Sequence, residues 1–137
     1  MELRSPAFRN MERIPLKFSR EGADVSPPLD WSGVPSGTKE LVVICEDPDA
    51  PGPAPWVHWI VHNISPDRRG LPEADTGGCL EGANNWGESG YGGPLPSVGD
   101  GDHHYHFRLL AIDRELHLKP AVGREEILET IADHVLE

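Results

Sequence analysis

The sequence predicts a mainly β protein: an antiparallel β-sandwich or partial barrel closed by a C-terminal helix. Three observations carry this. Short apolar runs rich in β-branched residues recur along the first 112 residues, separated by glycine and proline turns. Helical spacing occurs clearly once, at the end of the chain. And 15 glycines with 14 prolines make up more than a fifth of the 137 residues without forming a low-complexity tract, which argues for a loop-rich folded domain. One domain spanning 1–137 is expected at this length.

The elements follow in order. Short strands are expected near Ile14 to Phe18 and Leu29 to Trp31. Leu41 to Glu46 is a β-branched run that follows the Pro35-Ser36-Gly37 turn and stops at Asp47-Pro48. Val57 to Ile64 and His104 to Ile112 are apolar on both parities, the pattern of strands covered on both faces. Between them, roughly Asp67 to Gly101 reads mostly as loop. The helix begins after Gly123. Glu125 and Glu126 suit its first turn, and Ile127, Leu128, Ile131, Val135 and Leu136 form its apolar face.

Charge narrows the function classes. With 23 acids against 12 bases the formal charge is −11, so nucleic acid and anionic membrane surfaces are disfavoured partners. A small anion is not excluded, because a pocket sets its own local field. No apolar stretch approaches the roughly 20 residues of a membrane span. Residues 1–6 have no apolar leader core, so a soluble cytoplasmic protein is expected. Two scattered cysteines, Cys45 in an apolar run and Cys79 in a loop, are no disulfide framework.

Polar chemistry concentrates in two segments about 40 residues apart. Asp47-Pro48-Asp49-Ala50-Pro51 leads into Trp56-Val57-His58-Trp59, and Gly90-Tyr91-Gly92-Gly93-Pro94 leads into His103-His104-Tyr105-His106-Phe107. Strand alternation puts Trp56 and His58 on one face and Val57 and Trp59 on the other. It groups His103, Tyr105 and Phe107 and turns His104 and His106 away. If the two strands neighbour each other, His58 meets His103 and Tyr105, with Asp47 leaning over the same spot. Imidazoles and a phenol can donate to an anion, and a carboxylate tunes the imidazoles. Gly92-Gly93 offers backbone N–H groups unobstructed by side chains. Trp56 and the prolines form an apolar wall. Such a set fits a phosphate, sulfate or carboxylate headgroup, with an amine accepted by Asp47. Asp49 reads equally as a turn former.

These segments also carry a resemblance. With Ser26-Pro27-Pro28-Leu29-Asp30-Trp31 and Val34-Pro35-Ser36-Gly37-Thr38-Lys39, they resemble the phosphatidylethanolamine-binding proteins, in the bacterial and archaeal branch often called Raf-kinase-inhibitor-like. The resemblance implies the antiparallel sandwich with a C-terminal helix and an anion pocket at one end. Carried over by motif, the pocket residues are Asp47, His58, Gly93, His103 and Tyr105, joined by Trp56 and Pro51 from the same segments. Phosphate, phosphoethanolamine and related small anions are the implied ligands, with no cofactor. The resemblance also suggests a cis peptide at Ala54–Pro55, where proline lowers the cis penalty to about 0.5–1 kcal/mol. Two departures stand out. Arginine is common in the family where His104 lies. A final strand-like segment after the helix is usual there, whereas this chain ends at Leu136-Glu137, so a more open pocket mouth is expected.

Three functions are compared. The first is non-catalytic binding of a small anion, favoured because no Gly-x-Ser-x-Gly elbow or poised nucleophile occurs. The second is a metalloenzyme built on Asp47, His58 and His103, a two-histidine, one-carboxylate set. The third is a regulatory inhibitor of a kinase or protease, resting on the resemblance alone. The chain is expected as a monomer or homodimer.

Overall fold

The structure, a computed structural model, describes residues 1–50, 52, 54–95 and 104–137. Among the described residues seven strands precede one α-helix: β1 (Glu2–Arg4), β2 (Leu29–Ser32), β3 (Glu40–Asp47), β4 (Trp56–Ile64), β5 (Gly70–Leu71), β6 (Leu80–Glu81), β7 (His106–Ile112) and α1 (Arg124–Ile131). They form two antiparallel sheets. The first has the order β1-β2-β5 and the second β6-β4-β3-β7.

β3 shows why its sequence is apolar at every position. Leu41, Val43 and Cys45 face the first sheet and pack with Trp31, Leu29 and Leu71. Val42 and Ile44 face the other way, toward Val122 and the Ile127 and Ile131 side chains of α1. Both layers exclude water, and each large aliphatic side chain so buried contributes about 1.5–3 kcal/mol. Glu46, also on the helix side, is buried; its carboxylate takes Arg124 at 2.7 Å and Arg108 at 3.2 Å, tying α1 and β7 to β3.

Five expectations are corrected. The segment near Ile14 is not a strand. Pro15 fixes φ at −56°, and residues Leu16–Phe18 close a 3-10 turn that buries Phe18 and leaves Leu16 exposed. α1 is shorter than its spacing suggested. It stops at Ile131 because His134 to Glu137 return as an extended segment against β7: Asp113 N donates to His134 O, Leu136 N to Ala111 O, and Ala111 N to Glu137 O. A short extended segment therefore does follow α1; it lies at the 111–113 end of β7, away from Tyr105. β4 and β7 are not neighbours, since β3 lies between them. Finally, no described peptide bond is cis, Ala54–Pro55 included. Trans is the lower-energy isomer of an X–Pro bond, and the start of β4 is held in that geometry by Asn85, whose Oδ1 accepts from Val57 N and whose N donates to Val57 O.

Cys45 and Cys79 are free thiols, Cys45 buried within the core between the sheets. Among the described residues no helix is long and apolar enough to cross a membrane.

Candidate functional site

The site is built by a fault in the β3–β4 ladder. Cys45 pairs with Trp59 and Glu46 with Val57, so His58 is an extra residue on β4. This β-bulge breaks the alternation that the sequence implies. Val57 packs into the helix-side core, whereas Trp59 packs between the sheets. The inserted His58 turns to the same side as Trp59. There its ring meets Tyr105 edge-on, with centroids 5.4 Å apart. Tyr105 precedes β7 on the face of Phe107 and Leu109, which also border the core between the sheets. The two side chains thus meet across the end of β3 although their strands do not touch. Re-aiming a side chain is what bulges near functional sites commonly do.

His58 is then locked. Its Nδ1 lies 2.6 Å from the carbonyl oxygen of Gly92, and Gly92 N donates back to His58 O at 2.8 Å. A carbonyl oxygen only accepts, so Nδ1 carries the proton and Nε2 is the ring atom left for other chemistry. Burial holds the imidazole below its ordinary pKa, while the Gly92 bond and the charges of Asp47 and Asp24 pull it back up and Arg20 pushes it down. Tyr105 is raised to about 12, first by burial and then by Asp47, so its hydroxyl keeps its proton. Asp47 sits at the end of β3, only 3 % exposed, and its Oδ1 accepts Asp49 N at 2.8 Å in a tight Asx turn.

The two glycines do a different job from the one their sequence suggests. Neither amide faces an open pocket: Gly92 N is used by His58 O, and Gly93 N donates to Asp24 Oδ1 at 2.7 Å. They are glycines because the chain passes too close to its neighbours. A Cβ on Gly92 would run into the Trp86 indole, and one on Gly93 into the Phe18 carbonyl and Asp24. Trp56 stands T-shaped to Trp86 at 5.3 Å, and the Arg20 guanidinium lies 4.2 Å over the Trp86 ring, forming a cation–π wall behind the glycines.

Asp47, His58, Tyr105, Trp56 and Gly93 are thus gathered at one end of the sandwich. Pro51 and His103 lie outside the described residues. His104, expected to turn away, binds the loop of Asp47: its N and Nδ1 both engage Asp49 Oδ2, at 2.7 and 2.8 Å. Asp24, Arg20 and Trp86 are site residues that the sequence reading missed. Asp24 acts from a left-handed backbone (φ 55°), a conformation that Asp tolerates but that nothing in its neighbours announces. Among the described residues no group of three histidine, cysteine or carboxylate side chains is placed to hold a metal ion.

Comparison with known proteins agrees with this fold. The phosphatidylethanolamine-binding protein family matches residues 4–137. The chain belongs to that family. Its relatives include a UPF0098 protein of Methanothermobacter thermautotrophicus, 44% identical over 99% of this chain and 92% of that protein. Two family crystal structures share the fold. A phosphatidylethanolamine-binding-protein homologue from Chlamydia trachomatis superposes with a TM-score of 0.90 at 39% identity, covering 98% of this chain and 89% of its own. YbcL of E. coli gives 0.92 at 30% identity, covering 99% and 92%. The family fold is therefore kept, with the bulge and the glycine corner placing a polar cluster at one end of it.

Proposed function

We propose that the protein binds a small anion of the phosphate or phosphoester-headgroup class, without catalysis, and that binding is coupled to proton uptake. The observation that carries this is the state of His58. Its Nδ1 proton is committed to Gly92, so a neutral ring presents only an acceptor at Nε2. An anion gains a hydrogen bond there only if the ring or the ligand brings a proton. Asp47 and Asp24 both favour the imidazolium, and an incoming anion adds to them. Tyr105 stays a donor at every physiological pH. Asp47 in turn suits an ammonium group on the same ligand, so a zwitterion such as phosphoethanolamine fits better than bare sulfate. Gly93 belongs to the pocket wall and not to a cradle of amide donors.

Titration calorimetry tests this with phosphate, phosphoethanolamine, sulfate and acetate, each in two buffers of different ionisation enthalpy. Phosphate affinity should rise as pH falls below the ordinary histidine value of about 6.5. Proton uptake on binding should be visible as a buffer-dependent heat and lost in His58→Gln. Equal affinity at both ends of the histidine range, with no buffer dependence, would sink the proposal.

A further inference from the structure

A second, smaller cavity of about 220 Å³ lies between residues 24–26, residues 74–76 and the end of β6. Three of its lining side chains are acids: Asp24, Asp75 and Glu81. Asp24 is compensated, since its Oδ1 accepts Gly93 N and its Oδ2 takes Arg20 at 3.4 Å. The other two meet only neutral donors among the described residues. Glu81 Oε2 accepts Trp59 Nε1 at 2.9 Å, and Asp75 Oδ1 accepts Gly77 N at 2.8 Å. Each therefore keeps its full charge and one oxygen to spare. Glu81 is half-buried, bonded to an indole that is wholly buried. A carboxylate drawn out of water costs free energy unless a cation or several donors replace its hydration. One neutral N–H replaces it only in part.

Ser26 points independently to a ligand. It is only 6 % exposed and lines the same cavity. Its carbonyl accepts Ala74 N at 2.9 Å, but its hydroxyl has no partner among the described residues and faces the cavity. Buried hydroxyls are normally paired. The remaining polar groups select the sign of the occupant. Tyr91 gives its hydroxyl proton to Phe18 O and Thr76 gives its own to Cys79 O, so both present oxygen acceptors and no donor for an anion. A bare metal ion fits poorly, because among the described residues no three carboxylate, histidine or cysteine side chains converge on one point. Val25, Ala74 and the Tyr91 ring add apolar wall, which suits an alkyl chain better than a hydrated ion. The volume lies below the roughly 300–1,000 Å³ of drug-sized sites, so the occupant is small.

We propose that this cavity binds a primary alkylammonium group, which donates to Glu81, Asp75 and Ser26 and lays its chain against Val25 and Tyr91. An ammonium has three donors and no acceptor, matching a cavity that offers acceptors and negative charge. Hydrogen bonds between ionised partners are the stronger class, and here they also restore what burial takes from Glu81. The group comes from a free short amine or from a lysine side chain of a partner protein. The assignment does not depend on the anion reading of His58, and it uses no residue of that cluster except Asp24, which borders both.

The test titrates the isotope-labelled full chain with n-butylammonium chloride at fixed ionic strength, read by amide chemical shifts. The shifts should saturate and centre on residues 24–26, 74–76 and 81. Glu81→Gln and Asp75→Asn keep oxygens that accept from Trp59 and Gly77, so the fold is retained, and each should weaken binding about ten-fold. Ser26→Ala should weaken it about three-fold. Tetramethylammonium carries the charge without an N–H and should bind at least about ten-fold more weakly. The tighter of n-butylammonium and Nα-acetyl-lysine methylamide names the source, free amine or protein side chain. The proposal is overturned by any of four results: shifts that do not saturate, equal binding of tetramethylammonium, undiminished binding in both carboxylate variants, or binding that falls in Asp47→Asn instead, which would place the amine at the His58 cluster.

Discussion

The two ends of β4 hold the same materials and use them differently. Each has a break in its pairing with β3, between Cys45 and Glu46 at one end and between Leu41 and Val43 at the other. Each has a buried carboxylate on β3 and a buried histidine on β4: Asp47 with His58, and Glu40 with His62. At the second end the carboxylate is a clip. Glu40 Oε2 accepts Asn63 N at 3.0 Å, where Asn63 is left-handed (φ 60°), and Oε1 accepts Leu116 N at 3.1 Å. It thereby holds the bulge and the loop before α1. At the first end the carboxylate makes a turn with its own neighbour, and its field falls on His58 and Tyr105. What separates a site from a clip is whether the acid binds distant backbone or tunes side-chain chemistry.

The largest effect expected from this contrast is on stability. Replacing Glu40 by Ala strands two backbone donors, at about 1–3 kcal/mol for the buried Leu116 N and about 0.5–1.5 kcal/mol for Asn63 N, so urea unfolding should show a loss of about 1.5–4.5 kcal/mol. Asp47→Ala removes the Asx-turn bond to Asp49 N, which contributes about 0.5–1.5 kcal/mol, and should shift the pH response of phosphate binding to lower pH, because the Asp47 charge raises the His58 pKa. A greater stability loss at Asp47 than at Glu40 would erase the distinction drawn here.

Glycines sharpen it next. A Cβ on Gly92 meets Trp86, and one on Gly82 meets Ile60 and the Val122 carbonyl. Both Gly→Ala changes overpack and should cost about 1–3 kcal/mol. Only Gly92→Ala should also lower phosphate affinity, because Gly92 holds the His58 ring through Nδ1. Calorimetry on the two variants at matched fractions folded separates the effects. Equal loss of binding in both would mean that the glycine corner acts only through global stability.

Much of this was legible in the chain. The β-branched run of β3 announced a strand, the two-parity apolar runs of β4 and β7 announced strands covered on both faces, and Asp47, His58 and Tyr105 were picked out by type and spacing. The sandwich followed from the Gly/Pro punctuation and the terminal helix. What the residues could not announce were the interruptions of period. Alternation assumes an unbroken ladder, and a single inserted residue at His58 reverses every facing beyond it. Val135 and Leu136 kept helical spacing although the backbone had already turned back to pair with β7, because that spacing does not register a competing strand partner. Asp24, Arg20 and Trp86 reach the site only through folding of segments about 60–70 residues apart along the chain, a proximity no local pattern encodes.

The smallest predicted effect separates the two histidines themselves. Burial lowers the pKa of both His58 and His62 from 6.5. Below about pH 6.5 the unfolded chain therefore binds protons that the native state does not, so stability is full above that value and falls as pH drops. The slope from one such group is at most about 1.4 kcal/mol per pH unit. His62, 1 % exposed and with no partner at Nε2, should contribute it whether or not phosphate is present. His58 should contribute it only without phosphate, since a bound anion favours its charged form and closes the gap between native and unfolded states. Urea titrations across the acid range should thus show that phosphate flattens the slope in His62→Gln, where His58 remains, but not in His58→Gln. A phosphate effect that survives in His58→Gln would move the proton-coupled group away from the bulge.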